Sequence, residues 1–145
     1  MNVQDYLRQA ALLHKELEFL KERITELRVS RDNVRAFFVK EVVSRRIEDR
    51  MAANLAEVEM LEDMYMQKVT GLLRLKYDYH LLLDKLSDRR QRVVLEMRYI
   101  DMLSFEDISE RIFCSLRTCF TVHSLALSRA QELWDEDTLA HRSGA

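Results

Sequence analysis

Proline is absent from the 145 residues of this chain, and glycine occurs only at Gly71 and Gly144. Hairpins, tight turns and phosphate-binding loops depend on these two residue types, so most sheet folds and glycine-loop nucleotide sites are excluded. Two cysteines, Cys114 and Cys119, are too few for a disulfide scaffold, and we expect reduced thiols that pack in a core. The composition of 48% hydrophobic and 33% charged residues predicts an all-α protein with a real core.

Long apolar runs are also missing, since the longest are only three or four residues. No segment is therefore expected to span a bilayer, and the chain lacks the basic start and apolar run of a signal peptide. We expect a cytoplasmic protein with no membrane partner. The formal net charge of −2 offers no argument for nucleic acid from composition alone, so any DNA-binding claim must rest on a local set of residues.

The sequence also lacks the residue spacings that are typical of metal sites and catalytic sites. The four histidines, His14, His80, His123 and His141, have no histidine partner at i,i+4 and no acid at zinc-protease spacing. No nucleophile and base pair is visible either. We expect no metal, no cofactor and no enzymatic activity.

Two heptad stripes occupy the segment 1–85. Apolar residues recur at alternating steps of four and three, which is the spacing of a helix that packs along another helix. The first stripe is Tyr6, Ala10, Leu13, Leu17, Leu20, Ile24 and Leu27, and the second is Met51, Leu55, Val58, Tyr65, Val69, Leu72, Tyr79, Leu83 and Leu86. They predict a coiled-coil-like pair, either an antiparallel hairpin within one chain or a homodimer through these helices. Residues 30–44 between them are interpreted as a connector, with a short helix within it as the alternative.

Three serines precede helical patterns in the segment 86–134. Ser87, Ser104 and Ser115 are candidate N-caps for a helix that ends near Tyr99, a short middle helix and a longer last helix. A short helix, a turn and a longer helix follow the helix-turn-helix plan. At 100° per residue, one face of the last helix gathers polar residues: Arg117, Thr121, Ser124 and Ser128. Residues 135–145 are interpreted as a flexible acidic tail.

The stretch from Leu86 to Leu127 resembles region four of bacterial sigma factors. The resemblance lies in the leucine before a polar N-cap, the arginine-rich helix that ends in Arg98-Tyr99, and the two helices that start at Ser104 and Ser115. Together with the long N-terminal segment, it is similar to phage and prophage sigma-region-four-like transcriptional regulators of the ArpU type. The recognition helix departs from the usual basic pattern, because its first positions include Leu116 and Phe120.

This resemblance implies a transcriptional regulator whose ligand is duplex DNA and whose possible partner is RNA polymerase. In that role the last helix enters the major groove, and side chains or backbone amides contact bases and phosphates. The candidate DNA-binding residues are Arg117, Thr121, Ser124, Ser115, Ser104, Arg90 and His123. The alternative is a protein-interaction module that binds RNA polymerase or another phage protein through Leu116, Phe120 and Leu125.

Overall fold

Five helices account for most of the described residues, which are 1–38 and 45–143 of this computed structural model. They are α1 (Val3–Phe38), α2 (Arg45–Leu83), α3 (Arg89–Leu95), α4 (Phe105–Arg111) and α5 (Leu116–Ser143). A π-helical turn, Glu96–Ile100, directly follows α3. These ranges contain no strand, so the predicted all-α class is confirmed for them. Within them, no helix has an apolar stretch of the length needed to cross a membrane.

Two helices are longer than the sequence pattern indicated. α1 continues to Phe38, so residues 30–38 are helical, which corrects their interpretation as a connector. The one β-branched residue there, Val34, lowers helix propensity by only tenths of a kcal/mol, and no proline or glycine stops the helix. The rest of the expected connector, 39–44, lies outside the described residues. α5 likewise continues to Ser143, so the segment expected to be a tail is helical as far as that residue.

The chain divides into two compact units, which are described separately. Unit 1 contains Met1–Leu12 and Leu72–Ala145, and unit 2 contains Leu13–Gly71. Unit 1 therefore groups the start of the chain and the end of α2 with the segment in which the helix-turn-helix is predicted.

In unit 2 the two heptad stripes supply the buried side chains. Leu17, Ile24 and Val58 are buried there. Three exposed ion pairs connect α1 to α2: Glu16 with Lys68, Arg23 with Glu57 and Arg28 with Glu62. Exposed pairs of this kind contribute at most about 1 kcal/mol each, so the buried stripe is the larger source of stability.

One residue of the second stripe was placed wrongly. Leu55 is 42% exposed, whereas its neighbour Asn54 is half-buried. A single residue turns the side chain by about 100° around the helix axis, so Asn54 faces inward and Leu55 lies at the edge.

In unit 1, Tyr79 of α2 bonds to the backbone of α1. Its side chain is fully buried, and its hydroxyl donates to the Tyr6 carbonyl and accepts from the Ala10 N–H at 3.2 Å. Desolvation by burial raises the pKa of Tyr79 to about 12, so the hydroxyl keeps its proton and remains a donor. The Tyr6 ring lies 4.4 Å from the ring of Trp134 in α5 and 5.0 Å from that of Tyr79. The Tyr6 ring therefore joins the start of α1 to both the end of α2 and α5.

The core around α3, α4 and α5 is formed by Val94, Ile108 and Cys119, which are all fully buried. Half-buried apolar side chains pack against it, including Leu103, Phe105, Ile112 and Val122. Burial raises the pKa of the Cys119 thiol, as expected for a cysteine that packs in a core.

Side-chain caps set the starts of α3, α4 and α5. The Ser104 Oγ accepts from the Asp107 N–H at 3.2 Å, and the Ser115 Oγ accepts from the Thr118 N–H at 3.1 Å. For α3 the predicted cap was wrong by one residue. Asp88, and not Ser87, is the N-cap, since its Oδ1 accepts from the Gln91 N–H at 3.0 Å.

A buried polar pair links the π-helical turn to α5. The Tyr99 hydroxyl is hydrogen bonded to the His123 Nε2 at 2.9 Å, and the edge of the His123 ring meets the Phe105 ring at 4.9 Å between centroids. Burial lowers the pKa of His123, and the positive charges of Arg98 and Arg8 lower it further. We therefore expect a neutral imidazole at pH 7.

Replacing Tyr79 by Phe should lower the free energy of unfolding by about 1–3 kcal/mol, because the Ala10 N–H and the Tyr6 carbonyl lose their buried partner. In a chain of this size the melting temperature should fall by several degrees, measured by circular dichroism. Tyr77→Phe is the matched control, since Tyr77 is 63% exposed on the same helix. Equal melting temperatures for the two variants would contradict the role of the Tyr79 hydroxyl.

Stability should depend on pH through His123. The folded-state pKa lies below the ordinary value of 6.5, so the unfolded chain binds more protons as the pH falls. The stability that His123 contributes is complete above about pH 6.5 and is lost as the pH falls toward the folded-state pKa. His123→Gln should flatten the fall in melting temperature between about pH 7.5 and pH 5.5, because it removes the titrating imidazole. An unchanged slope in His123→Gln would show that this histidine is not the titrating group.

Candidate nucleic-acid interface

The start of α5 has two faces of different character. Its inner side is buried and carries Cys119, His123, Ala126 and Ala130. Six exposed residues near the start of the helix form what we call the outer face of α5: Leu116, Arg117, Phe120, Thr121, Ser124 and Leu125. The predicted polar face is therefore exposed, and apolar residues flank it.

The turn before α5 is closed by residues in unusual conformations. Phe113 has a positive φ of 57°, and the Cys114 N–H donates to the Ser109 carbonyl at 3.1 Å. Left-handed backbone is disfavoured for large side chains and is usually adopted by glycine. Phe113 is also 94% exposed, so an aromatic ring stands in solvent directly before the outer face. Phe113 was not among the predicted site residues. A phenylalanine in a turn, where small or polar residues are usual, was the signal in the sequence that could have indicated it.

Several hydroxyl groups of the predicted interface already have partners. The Ser115 Oγ accepts from the Thr118 N–H and donates to the Thr118 hydroxyl at 2.8 Å. The Thr121 hydroxyl donates to the Arg117 carbonyl at 3.1 Å. The donor of Thr121 is therefore used within the helix, and its methyl group is the part left to meet a ligand.

Charge differs between the first turns of α4 and α5. The first turn of α4 carries Glu106 and Asp107, close to the predicted phosphate contact at Ser104. The first turn of α5 has no acidic residue and contains Arg117. A helix N-terminus favours an anion, and two carboxylates in the first turn oppose one. The start of α5 is the better of the two positions for a DNA phosphate.

The other two candidates lie in different surroundings. Arg90 is exposed in the first turn of α3, near enough to Cys119 for its charge to lower the thiol pKa slightly against the effect of burial. His123 is only 8% exposed and bonds to Tyr99. The expectation that His123 contacts phosphate is corrected for this reason: its position in the helical repeat turns it toward the core and away from the outer face.

The apolar candidates are exposed to different degrees. Leu116 is 37%, Phe120 45% and Leu125 56% exposed. The Phe120 ring contacts the Phe105 ring at 4.9 Å between centroids, and the Arg98 guanidinium lies 4.3 Å from the centroid of Phe105. Phe120 is thus held at one edge of the outer face.

Comparison with known proteins gives one family and no relative of known function. No curated protein and no solved structure matches the chain. Residues 44–131 match the model of a family described as "Protein of unknown function (DUF1492)", and this match spans more than half of the chain. The chain therefore belongs to the DUF1492 family.

Proposed function

We propose that the protein is a DNA-binding transcriptional regulator of the phage or prophage type, in which α4 and α5 act as a sigma-region-four-like helix-turn-helix. The observation that carries the proposal is the outer face of α5. It combines an exposed arginine, Arg117, with hydroxyl and apolar groups on a helix whose opposite side is buried. A helix supported in this way can enter a major groove without exposing core residues.

The electrostatics support a contact centred on α5. From Leu86 to Leu133 there are seven arginines and seven acidic residues, so the segment has no net charge. Binding must then depend on where the charges lie. Arg117 on α5 and Arg90 on α3 are the exposed cations that we assign to base and phosphate contacts, and the amides at the start of α5 add a phosphate contact. The acidic first turn of α4 makes Ser104 a cap and not a phosphate contact.

A homodimer through α1 and α2 is part of the proposal. A module with no net charge has weak non-specific affinity for phosphate, and two copies on one duplex double the number of contacts. Such a regulator works in the cytoplasm, with RNA polymerase as its partner in activation or repression.

A protein-interaction role is the second candidate, and Phe113 is the observation that favours it. An aromatic ring that is 94% exposed in the turn before α5 can serve as an anchor for a protein surface. In this case the partner is RNA polymerase or another phage protein, and DNA sequence is not recognised.

Arg117→Ala should reduce affinity for a duplex selected from a random library about tenfold or more, since a bidentate arginine–guanine contact contributes about 1–3 kcal/mol. Fluorescence anisotropy at low and moderate salt measures the change. Arg129→Ala is the matched control, because it removes one positive charge from the same helix, where Arg129 pairs with Glu132. We expect a change of less than about threefold for the control.

Two results would overturn the DNA-binding proposal. One is the absence of duplex binding at low salt by the full chain. The other is equal loss of affinity in Arg117→Ala and Arg129→Ala, which would indicate general charge attraction without an oriented α5.

Phe113→Gly separates the second candidate from the first. The substitution suits the left-handed backbone, so stability should stay unchanged or rise by up to about 1 kcal/mol. If α5 and its turn dock on protein, this well-folded variant should lose binding to purified bacterial RNA polymerase in a sedimentation assay. Binding equal to that of the parent would remove Phe113 as an anchor and with it the main support for the second candidate.

A further inference from the structure

We propose that the outer face of α5 recognises thymine-rich duplex DNA through thymine 5-methyl groups, with Arg117 as its one strong contact to guanine. The inference rests on the proposed function and deepens it by naming the class of target sequence. It starts from the small number of hydrogen-bond donors that this face offers.

Donors on the outer face are few because the helix uses some of them itself. The Ser115 hydroxyl caps the first turn, and the Thr121 hydroxyl donates to the Arg117 carbonyl. The polar side chains that remain near the start of the helix are Arg117 and Ser124, both exposed. All four bases present polar groups in the major groove and thymine alone adds a methyl group, so a face with so few donors gains more from methyl contacts than from polar ones.

Apolar groups occupy both flanks of this face. At 100° per residue, Phe120 and Leu125 lie roughly 60–80° to either side of Arg117 around the helix. Phe120 is 45% and Leu125 56% exposed, and the Thr121 methyl group lies between Arg117 and Leu125 in the helical repeat. The face thus has a polar centre at Arg117, with an apolar side chain on each side of it.

The thymine methyl is the one apolar group that the four bases place in the major groove. It projects from the pyrimidine at the margin of the groove, beside the backbone of its own strand. A helix lying in the groove turns its two flanks toward the two margins. Phe120 and Leu125 are therefore at positions that suit methyl groups, and any other base there would leave a polar edge desolvated and unpaired.

The position of Phe120 is fixed before binding. Its ring contacts Phe105, which in turn lies under the Arg98 guanidinium, and the Arg98 Nη1 donates to the Leu103 carbonyl at 3.0 Å. A ring held in this way loses little conformational freedom when it meets a methyl group.

The arrangement of this face favours DNA over a protein surface as the occupant. Protein interfaces have an apolar centre surrounded by a polar rim, and their strongest contributions come from the centre. The outer face of α5 has the reverse order, with Arg117 and Ser124 at its centre and apolar side chains at its edges.

The test compares four duplexes of equal length and charge with the full wild-type chain. They are alternating dA-dT, the same duplex with deoxyuridine in place of thymidine, alternating dG-dC, and dG-dC with 5-methylcytosine. Removing the methyl groups should lower affinity about fourfold for each contacted methyl, and adding them to cytosine should raise it by a similar factor, in line with the burial of one methyl group.

Variants assign the effect to residues. Leu125→Ser should lower the ratio of thymine to uracil affinity about fourfold, the effect of one lost methyl contact, with an unchanged melting temperature because the residue is exposed. Leu73→Ala is the matched control, since Leu73 is 62% exposed on α2 and lies outside the proposed interface. The ratio of this control should equal that of the wild type.

The outcomes separate this inference from the proposed function. Salt-dependent binding that is equal for thymine and uracil duplexes, and equal for cytosine and 5-methylcytosine, would overturn the methyl contacts and leave DNA binding intact. The absence of binding to all four duplexes at low salt would overturn both, and loss of RNA polymerase binding in Leu125→Ser would then identify the face as a protein contact. Because the duplex comparison uses the wild-type chain, it does not depend on the folding of any variant.

Discussion

The burial of the inner side of α5 is the constraint on which unit 1 depends. Small side chains, Cys119, Ala126 and Ala130, are fully buried along it, and His123 is held between Tyr99 and Phe105. Because the helix is fixed by this side, its other side can carry exposed residues. The outer face is free to hold Phe120 and Leu125, which a helix without such support would turn inward.

Periodicity in the sequence was enough to predict the helices and most of the buried positions. Leu17, Ile24 and Val58 are buried as the stripes indicate, and Ser104 and Ser115 cap the helices for which they were predicted. These predictions succeed because spacing and capping depend on neighbours within a few residues. Helix ends were less accurate, since the signals that stop a helix are weak where proline and glycine are missing.

Features that depend on distant residues could not be predicted from the sequence. The contact of Tyr79 with Tyr6 and Ala10 joins positions about seventy residues apart, and no local pattern indicates it. His123 was predicted to contact DNA, since its burial depends on Tyr99 and Phe105 from other elements and no local pattern indicates it. The engagement of the Thr121 hydroxyl is local, but whether a threonine bonds to its own helix or to a ligand is decided by the surroundings.

The lack of net charge in the segment from Leu86 to Leu133 and the apolar edges of the outer face of α5 together determine the affinity for DNA that we expect. A DNA-binding module normally gains most of its attraction from phosphate contacts, and the segment from Leu86 to Leu133 has equal numbers of arginines and acidic residues. What it lacks in charge it must gain from contacts that do not depend on salt. In the proposed complex, methyl groups of thymine offer such contacts to Phe120 and Leu125, so its affinity should fall less steeply with salt than that of a basic helix. Weak phosphate attraction combined with apolar base contacts favours selectivity for sequence over tight binding to any duplex.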